Sequence, residues 1–107
     1  MKEFLIPTNK GMKPVMEDNI IRVEASSNYC KIFFMNERPL VVAKVLQWFE
    51  DKLPTDTFCR IHRGHLINRL YVTDVTGSNT LTLINGDTVQ VSRRKKEQYK
   101  GLLRQSA

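Results

Sequence analysis

Hydrophobic and polar positions alternate along much of the chain, in short runs. Residues 19–25 and 29–35 are rich in β-branched and aromatic side chains, and the polar residues 26–28 separate them. Two such runs joined by turn residues predict a β-hairpin. A third run, residues 38–43, follows the turn signal at positions 36 and 37. The first half of the chain is therefore predicted to consist mainly of antiparallel strands.

A helical period replaces this alternation over residues 44–53. Apolar side chains recur at helical spacing, at Val45, Leu46, Phe49 and Leu53. Pro54 ends the segment, because proline does not continue a helix. The outward positions include Glu50 and Asp51, whose carboxylates repel phosphate. The segment is therefore predicted to pack on the sheet and not to read nucleic acid.

Short strands return after Pro54, at residues 58–61, 66–67, 71–75, 80–84 and 88–92. A two-residue loop between the last two strands would bury the wrong side chains. A three-residue turn, 85–87, instead pairs Leu83 with Val89 and Leu81 with Val91. Gly86 is then available for a positive φ.

Residues 93–103 predict a short helix with Ser92 at the N-cap. Its buried side is predicted to consist of Tyr99, Leu102 and Leu103. Cations in the first turn of a helix oppose the helix dipole, so Arg93 and Arg94 are better placed there if they meet a phosphate or a base. An imperfect helix start is the alternative. The predicted fold is mainly β, with small antiparallel sheets, one packing helix near 44–53 and a short C-terminal helix near 93–103.

The chain has 107 residues, of which 41% are hydrophobic and 26% charged, as expected for one globular domain. The formal charge is +6, and it is unevenly distributed. Residues 1–53 hold eight bases and seven acids, whereas residues 54–107 hold nine bases and four acids. A one-sided basic surface attracts polyanions, with nucleic acid ahead of an anionic membrane. Ordinary solubility is the alternative explanation.

Enzymatic and metal-binding patterns are weak. Cys59, His62 and His65 are possible zinc ligands, but no second ligand pair accompanies them, so no metal site is predicted. No carboxylate cluster, glycine-rich phosphate loop or nucleophile elbow appears. We therefore expect no catalysis, no cofactor and no small-molecule substrate. Cys30 is the remaining cysteine; a reduced pair is favoured over a disulfide with Cys59.

The N-terminus offers only three apolar residues before Pro7, too few for a signal peptide, and no stretch approaches the length of a membrane span. No membrane association is expected, and a cytoplasmic location is predicted.

Two stretches, 58–68 and 91–96, place Arg and His on turns between apolar segments. Groups that must reach phosphates and base edges are best held on such anchored loops, which suggests a DNA-binding protein. Arg63 is the first candidate for contact with guanine, because its fork donates two hydrogen bonds. An ion pair with Asp56 or Asp74 is the alternative for this side chain.

Several other residues have two interpretations. Arg93 is the second candidate for a base or phosphate contact. Lys95, Lys96 and Lys100 are candidates for phosphate contact, although any of these lysines is also compatible with simple solvation. His62 is equally compatible with donating to DNA and with being held by backbone carbonyls. Tyr29 is at least as compatible with packing as with binding.

Read in order, these segments resemble the LytTR family of DNA-binding domains from bacterial response regulators. The resemblance spans roughly residues 4–103. The motifs that carry it are Ile21-x-Val23-Glu24-Ala25-x-x-Asn28-Tyr29-x-Lys31, Leu53-Pro54-x-x-x-Phe58-x-Arg60-Ile61-His62-Arg63, Leu66-Ile67-Asn68, Asn85-Gly86 and Val91-Ser92-Arg93-Arg94. The family usually has Ser and an aromatic residue where Gly64 and His65 stand here, which suggests a changed base preference.

The resemblance implies an elongated arrangement of small sheets whose loops, at 27–31, 62–65 and 92–95, enter the major groove of double-stranded DNA. The implied DNA-binding residues, with those chosen from charge, are Asn28, Tyr29, Lys31, His62, Arg63, Gly64, His65, Arg93, Arg94, Lys95 and Lys96. Residues 1–107 are expected to be a single domain without the family's phosphoacceptor (receiver) domain; a stand-alone protein and a fragment both remain open.

The leading hypothesis is sequence-specific binding of double-stranded DNA in bacterial transcription regulation, with a homodimer on repeated half-sites. One alternative is a single-stranded DNA or RNA binder that stacks bases on Tyr29, Phe33 and Phe34. Phe33 and Phe34 alternate along the strand, so only one of them can face solvent. The other alternative is a module that uses its basic face to bind an acidic protein.

Overall fold

The strands of this computed structural model, which describes residues 2–104, form three antiparallel sheets. The molecule measures 43 × 25 × 22 Å and is therefore elongated. The strands are β1 (Glu3–Thr8), β2 (Gly11–Met16), β3 (Ile20–Ser26), β4 (Tyr29–Phe34), β5 (Glu37–Val42), β6 (Phe58–His62), β7 (His65–Asn68), β8 (Val72–Thr76), β9 (Thr80–Leu83) and β10 (Thr88–Gln90). The helices are α1 (Leu46–Lys52) and α2 (Lys100–Leu103). The mainly β fold is confirmed.

The five-stranded sheet has the order β5-β4-β3-β7-β6, so β3 lies in its centre. The predicted hairpin is present as β3 and β4, with Ser26 opposite Tyr29. Each face of the sheet is covered by a separate hydrophobic cluster. One cluster contains Ile20 and Val23 of β3, and the other contains Ile21. Strand β3 therefore supplies apolar side chains to both halves of the core.

Helix α1 and the β1–β2 hairpin cover one face of this sheet. Phe49 is fully buried, and its ring lies 5.0 Å from that of Trp48 and 6.2 Å from that of Phe4. The prediction that Val45 belongs to the buried helix face is wrong, because Val45 is 59% exposed. Its extended backbone precedes the first helical residue, so it does not share the helical period.

No element was predicted for the segment that forms β1 and β2. These strands pair from Glu3 opposite Met16 to Thr8 opposite Gly11. Pro7 and Pro14 lie within them, and proline usually argues against a strand because it donates no ladder hydrogen bond. The two-stranded sheet tolerates both prolines because neither strand has a second neighbour to bond.

The three-stranded sheet, in the order β10-β9-β8, and α2 cover the other face. The predicted pairing of Leu83 with Val89 is wrong, because Leu81 lies opposite Val89. The turn does have three residues, but they are 84–86, since the Leu83 amide donates to the Asp87 carbonyl at 2.8 Å. Gly86 has φ +90°, as the turn requires.

The short C-terminal helix predicted near residues 93–103 is present, but only its last turn is α-helical. Residues Arg93–Lys95 form a 3₁₀ turn, and α2 begins only at Lys100. Ser92 precedes the 3₁₀ turn but makes no side-chain capping bond. Consecutive cations from 93 to 96 at a helix start oppose the helix dipole, which disfavours a regular first turn. Of the predicted buried side, Leu102 is buried and Tyr99 and Leu103 are partly buried.

Arg22 links the five-stranded sheet to the three-stranded sheet, beside the hydrophobic cluster that contains Ile21. Its side chain is 9% exposed, and its Nε donates to Asp87 Oδ2 at 2.9 Å while NH1 donates to Glu24 Oε1 at 2.7 Å. The guanidinium also lies 3.9 Å from the centre of the Phe33 ring. Asp87 follows the β9–β10 turn, so this arginine joins the central strand to the three-stranded sheet.

Arg22→Ala is expected to lower the free energy of unfolding by about 2–4 kcal/mol, because two charge-assisted bonds and the contact with Phe33 are lost. The two carboxylates are about a third exposed and regain water, which limits the cost. Urea unfolding followed through the single tryptophan, Trp48, measures the change. Arg38→Ala, at an exposed position, should change stability by less than about 0.5 kcal/mol. Equal losses for both variants would contradict this role of Arg22.

Candidate nucleic-acid interface

Three predicted loops lie at one end of the five-stranded sheet. Strand β3 ends at Ser26, where the β3–β4 turn begins. His65, the first residue of β7, pairs with Glu24, so the β6–β7 turn lies at the same end. The amide of Ser92 donates to the carbonyl of Ile61 at 2.8 Å, which fixes the start of the third loop beside β6. Strand pairing thus brings together segments that are far apart in sequence.

Hydrogen bonds hold the β6–β7 turn in one shape. The carbonyl of Gly64 accepts from the amide of Ala25 at 2.9 Å, which ties the turn to β3. The amide of Gly64 donates to Nδ1 of His62 at 3.0 Å. The His62 side chain therefore accepts a bond from its own turn, and no backbone carbonyl of the described residues accepts from it. In its neutral form the ring carries the proton on Nε2, which leaves that nitrogen as a donor.

An open groove of about 380 Å³ lies between the second loop, the third loop and helix α1. Its lining is rich in basic side chains. The lining residues are Gln47, Glu50, Arg60, His62, Arg63, Ser92, Arg94 and Lys95. Four of the predicted binding residues, His62, Arg63, Arg94 and Lys95, therefore share one surface.

The two arginines of the β6–β7 region differ in their partners. Arg60 donates to Glu50 Oε1 at 2.9 Å and to the carbonyl of Arg63 at 2.7 Å, so its charge is used within the protein. Arg63 is exposed and forms no ion pair in the described part of the chain, with neither Asp56 nor Asp74. Its guanidinium is therefore available to a ligand.

Helix α1 contributes to this site in a way the sequence did not indicate. Glu50 was expected only to face outward and repel phosphate, but it forms one wall of the groove and pairs with Arg60. The two residues meet through tertiary packing of α1 on the sheet, and no local pattern reports such a contact. The pair neutralises one positive charge of the groove lining, and the other lining cations form no ion pair among the described residues.

The remaining predicted residues lie around this groove. Arg93 is exposed beside it, and Lys96 is turned away, with Nζ 3.2 Å from Ser78 Oγ in the β8–β9 turn. The first-loop residues Asn28, Tyr29 and Lys31 are exposed, but they do not line this groove.

The three aromatic residues of the base-stacking alternative, Tyr29, Phe33 and Phe34, do not form a stacking surface. Phe34 is 6% exposed, and the Phe33 ring is covered on one face by the guanidinium of Arg22. Lys31 Nζ also lies 5.3 Å from the centre of the Phe33 ring. Tyr29 is the exposed member of the three, at 52%. A single ring gives little support to the base-stacking alternative.

Both cysteines are buried free thiols, Cys30 in the first hydrophobic cluster and Cys59 in the second. Burial raises the pKa of each thiol, and a nearby arginine opposes this only in part. Both thiols are therefore poor nucleophiles and poor metal ligands at neutral pH. Among residues 2–104, no three His, Cys, Asp or Glu side chains are grouped as metal ligands.

Comparison with known proteins agrees with this architecture. Residues 10–104 match the LytTr DNA-binding domain family. The chain belongs to this family. The LytTr fold accounts for the small antiparallel sheets described above, and the family is one of DNA-binding domains and not of enzymes. Membership supports DNA binding in transcription regulation as the role of the chain.

Two proteins are similar to this chain over most of its length. The sensory transduction protein LytR of Staphylococcus haemolyticus (strain JCSC1435) is 27% identical over 99 residues, which cover 89% of this chain and 38% of that protein. The chain thus spans well under half the length of this curated relative. A solved LytTr DNA-binding domain, from a Bacillus cereus protein described as a methyl-accepting/DNA response regulator, is 27% identical with a TM-score of 0.79. That match covers 97% of this chain and 98% of the other.

Within residues 2–104, no helix has the length and hydrophobicity needed to cross a bilayer.

His65 differs from His62 in its surroundings. It lies opposite Glu24 on β3, and its buried Nδ1 has no hydrogen-bond partner among residues 2–104. Burial lowers the pKa of His65 below its usual 6.5; Glu24 opposes this, whereas His62 and Arg22 add to it. The imidazole is therefore held neutral in the folded protein.

The stability that neutral His65 provides is expected to be complete above pH 6.5 and to decline as the pH falls from 6.5 towards the lowered pKa of the folded state. In that range the unfolded chain binds a proton that the folded protein does not. Urea unfolding at about pH 7.5 and about pH 5.5 should show a smaller loss of stability for His65→Gln than for the wild type. His62→Gln should retain most of the wild-type loss. Identical losses in the wild type and His65→Gln would contradict this assignment.

Proposed function

We propose that this LytTr domain binds double-stranded DNA in a sequence-specific manner, with its loops in the major groove. The observation that carries the proposal is the position of Arg63: it is exposed, without an ion pair among the described residues, on a hydrogen-bonded turn beside other cations. A guanidinium held in this way suits the O6 and N7 atoms of guanine. The bonds within the turn limit the entropy that binding costs.

The neighbouring side chains suit different parts of the DNA. Nε2 of His62 is a donor, which fits a phosphate oxygen or a base acceptor. Arg93 and Arg94 are exposed at the start of the third loop and fit base or phosphate contacts. Lys95 lines the groove and acts as a point charge for phosphate. We assign Gly64 and His65 to shaping the second loop.

The first loop would extend the same surface. Asn28 offers an amide that matches adenine, and Lys31 suits phosphate. The first two loops extend from one end of the five-stranded sheet, and the third follows β10 and starts beside β6 at that end, so the three can approach a duplex together. The major groove, about 12 Å wide, admits such projections. Residues 1–107 act in this proposal as one DNA-binding unit.

We further propose that two copies bind repeated half-sites, because one small domain contacts few base pairs. The supporting argument is family membership together with the size of the molecule, 43 Å in its longest dimension. The role proposed here belongs in the cytoplasm of a bacterial cell, where the chromosome is accessible.

Arg63→Ala and Arg93→Ala are each expected to weaken binding at a selected DNA site by about 1–3 kcal/mol and to relax discrimination at one position. Lys95→Ala should weaken binding to all duplexes about equally and reduce the salt dependence. Fluorescence anisotropy with matched and mismatched duplexes measures both effects.

Arg69→Ala is the matched control, because Arg69 follows the opposite end of β7 and carries the same charge. It should bind like the wild type. If both test variants also bind and discriminate like the wild type, with the fold intact, the proposed reading surface is wrong. Binding that depends on salt but not on sequence would favour a general basic surface.

A further inference from the structure

A second groove lies at the same end of the molecule, on the other side of the β3–β4 turn. It has a volume of about 340 Å³ and is formed by the β1–β2 hairpin tip, the start of β4 and the end of β5. Its lining residues are Pro7, Thr8, Asn9, Tyr29, Val41, Val42, Ala43 and Lys44. Tyr29 links this groove to the first predicted DNA-binding loop. The family match begins only at residue 10, so β1 lies outside it.

The segments that form the second groove carry lysines and no carboxylate. Its lining residues lie within residues 7–16, 25–36 and 40–49, and these three segments contain no Asp or Glu. They contain the lysines Lys10, Lys13, Lys31 and Lys44. None of these lysines forms an ion pair within the described residues. In the first groove, by contrast, Glu50 neutralises one arginine.

The hairpin tip is held rigidly. Thr8 Oγ1 donates to the carbonyl of Gly11 at 2.7 Å and accepts from the amide of Lys10 at 3.1 Å. Gly11 has φ +112°, which an L side chain rarely adopts. Fully buried Ile6 anchors the strand that leads to the tip. Lys10 is therefore exposed at a hairpin tip whose backbone is held by these hydrogen bonds.

Lys44 lines the second groove together with residues 7–9 of the hairpin tip. It follows β5, is partly buried, and its Nζ lies 5.5 Å from the centre of the Trp48 ring. This cation–π contact restricts the Lys44 side chain. Lys44 thus lines the groove together with Val42 and the half-exposed ring of Tyr29, and Lys10 directly follows Asn9, another lining residue.

We propose that this second groove binds the DNA phosphate backbone beyond the bases read by the three loops. Lys10 and Lys44 supply point charges to phosphates, and the Tyr29 ring packs against sugar. The inference rests on the proposed function, because it places the flanking duplex next to a surface that reads DNA. Lysines on an apolar groove recognise charge and shape but not base sequence, so these contacts add affinity without specificity.

The test compares the wild type with Lys10→Ala/Lys44→Ala on two duplexes. One duplex holds only the selected site, and the other extends it by one helical turn on each side. On the extended duplex the double variant is expected to lose roughly tenfold or more in affinity, and the slope of log affinity against log salt should fall by about 2. On the short duplex the double variant should bind like the wild type.

Lys2→Ala/Arg38→Ala is the matched control, since it removes the same charge at the opposite ends of β1 and β5. It should bind both duplexes like the wild type. Equal losses for the double variant on the short and the extended duplex would overturn the inference, because the lysines would then act at the read site. If the Lys10→Ala/Lys44→Ala variant binds the extended duplex with wild-type affinity, the inference is also overturned.

The outcomes separate this inference from the proposed function. If the wild type selects no sequence at all, the proposed function fails first. If it selects a site and Arg63→Ala weakens that binding, but the double variant binds the extended duplex normally, only the second groove is wrongly assigned. Vesicles containing anionic lipid serve as a further probe. If the wild type binds them through these lysines while DNA binding is unaffected, the surface belongs to a membrane and the inference is wrong.

Discussion

Strand β3 is buried on both of its faces, and the positions of the basic loops depend on this burial. Ile20 and Val23 pack into one hydrophobic cluster, and Ile21 packs into the other. A shift of one residue in the pairing of β3 would exchange these faces, so the register is strongly specified. The same pairing fixes Ser26 opposite Tyr29 and Glu24 opposite His65. Packing in the core therefore determines which turns lie side by side at the end of the sheet.

Whether an arginine of this chain has a structural role or is available for binding depends on whether a carboxylate pairs with it. Arg22 and Arg60 are enclosed and paired, the first with Glu24 and Asp87 and the second with Glu50. Arg63 is three residues from Arg60 but exposed on a turn. A buried unpaired charge is costly, so an interior arginine needs these partners. An exposed arginine on a turn stays hydrated until a ligand replaces the water.

The strands of the central sheet were predictable because alternation with a period of two is a local property of the sequence. The register of β9 and β10 was not predictable from alternation. The predicted and observed pairings differ by two residues, and both place the same side chains on the core face, so alternation does not distinguish them. The β1–β2 hairpin was missed because Pro7 and Pro14 argue against strands. The second and third loops were predicted from Arg and His between apolar runs, and the first loop from the family resemblance. The groove formed with α1, and the second groove at Tyr29, depend on tertiary packing that the sequence pattern does not report.

The central claim is that loops held by a doubly buried sheet present Arg63 and its neighbours for reading duplex DNA. The most direct measurement is selection of bound duplexes from a randomised DNA pool at near-physiological salt, followed by sequencing. We expect a short motif to emerge that contains a guanine and recurs at a fixed spacing. Retention without enrichment of any sequence, disappearing as the salt concentration rises, would contradict sequence reading and leave only a general electrostatic surface.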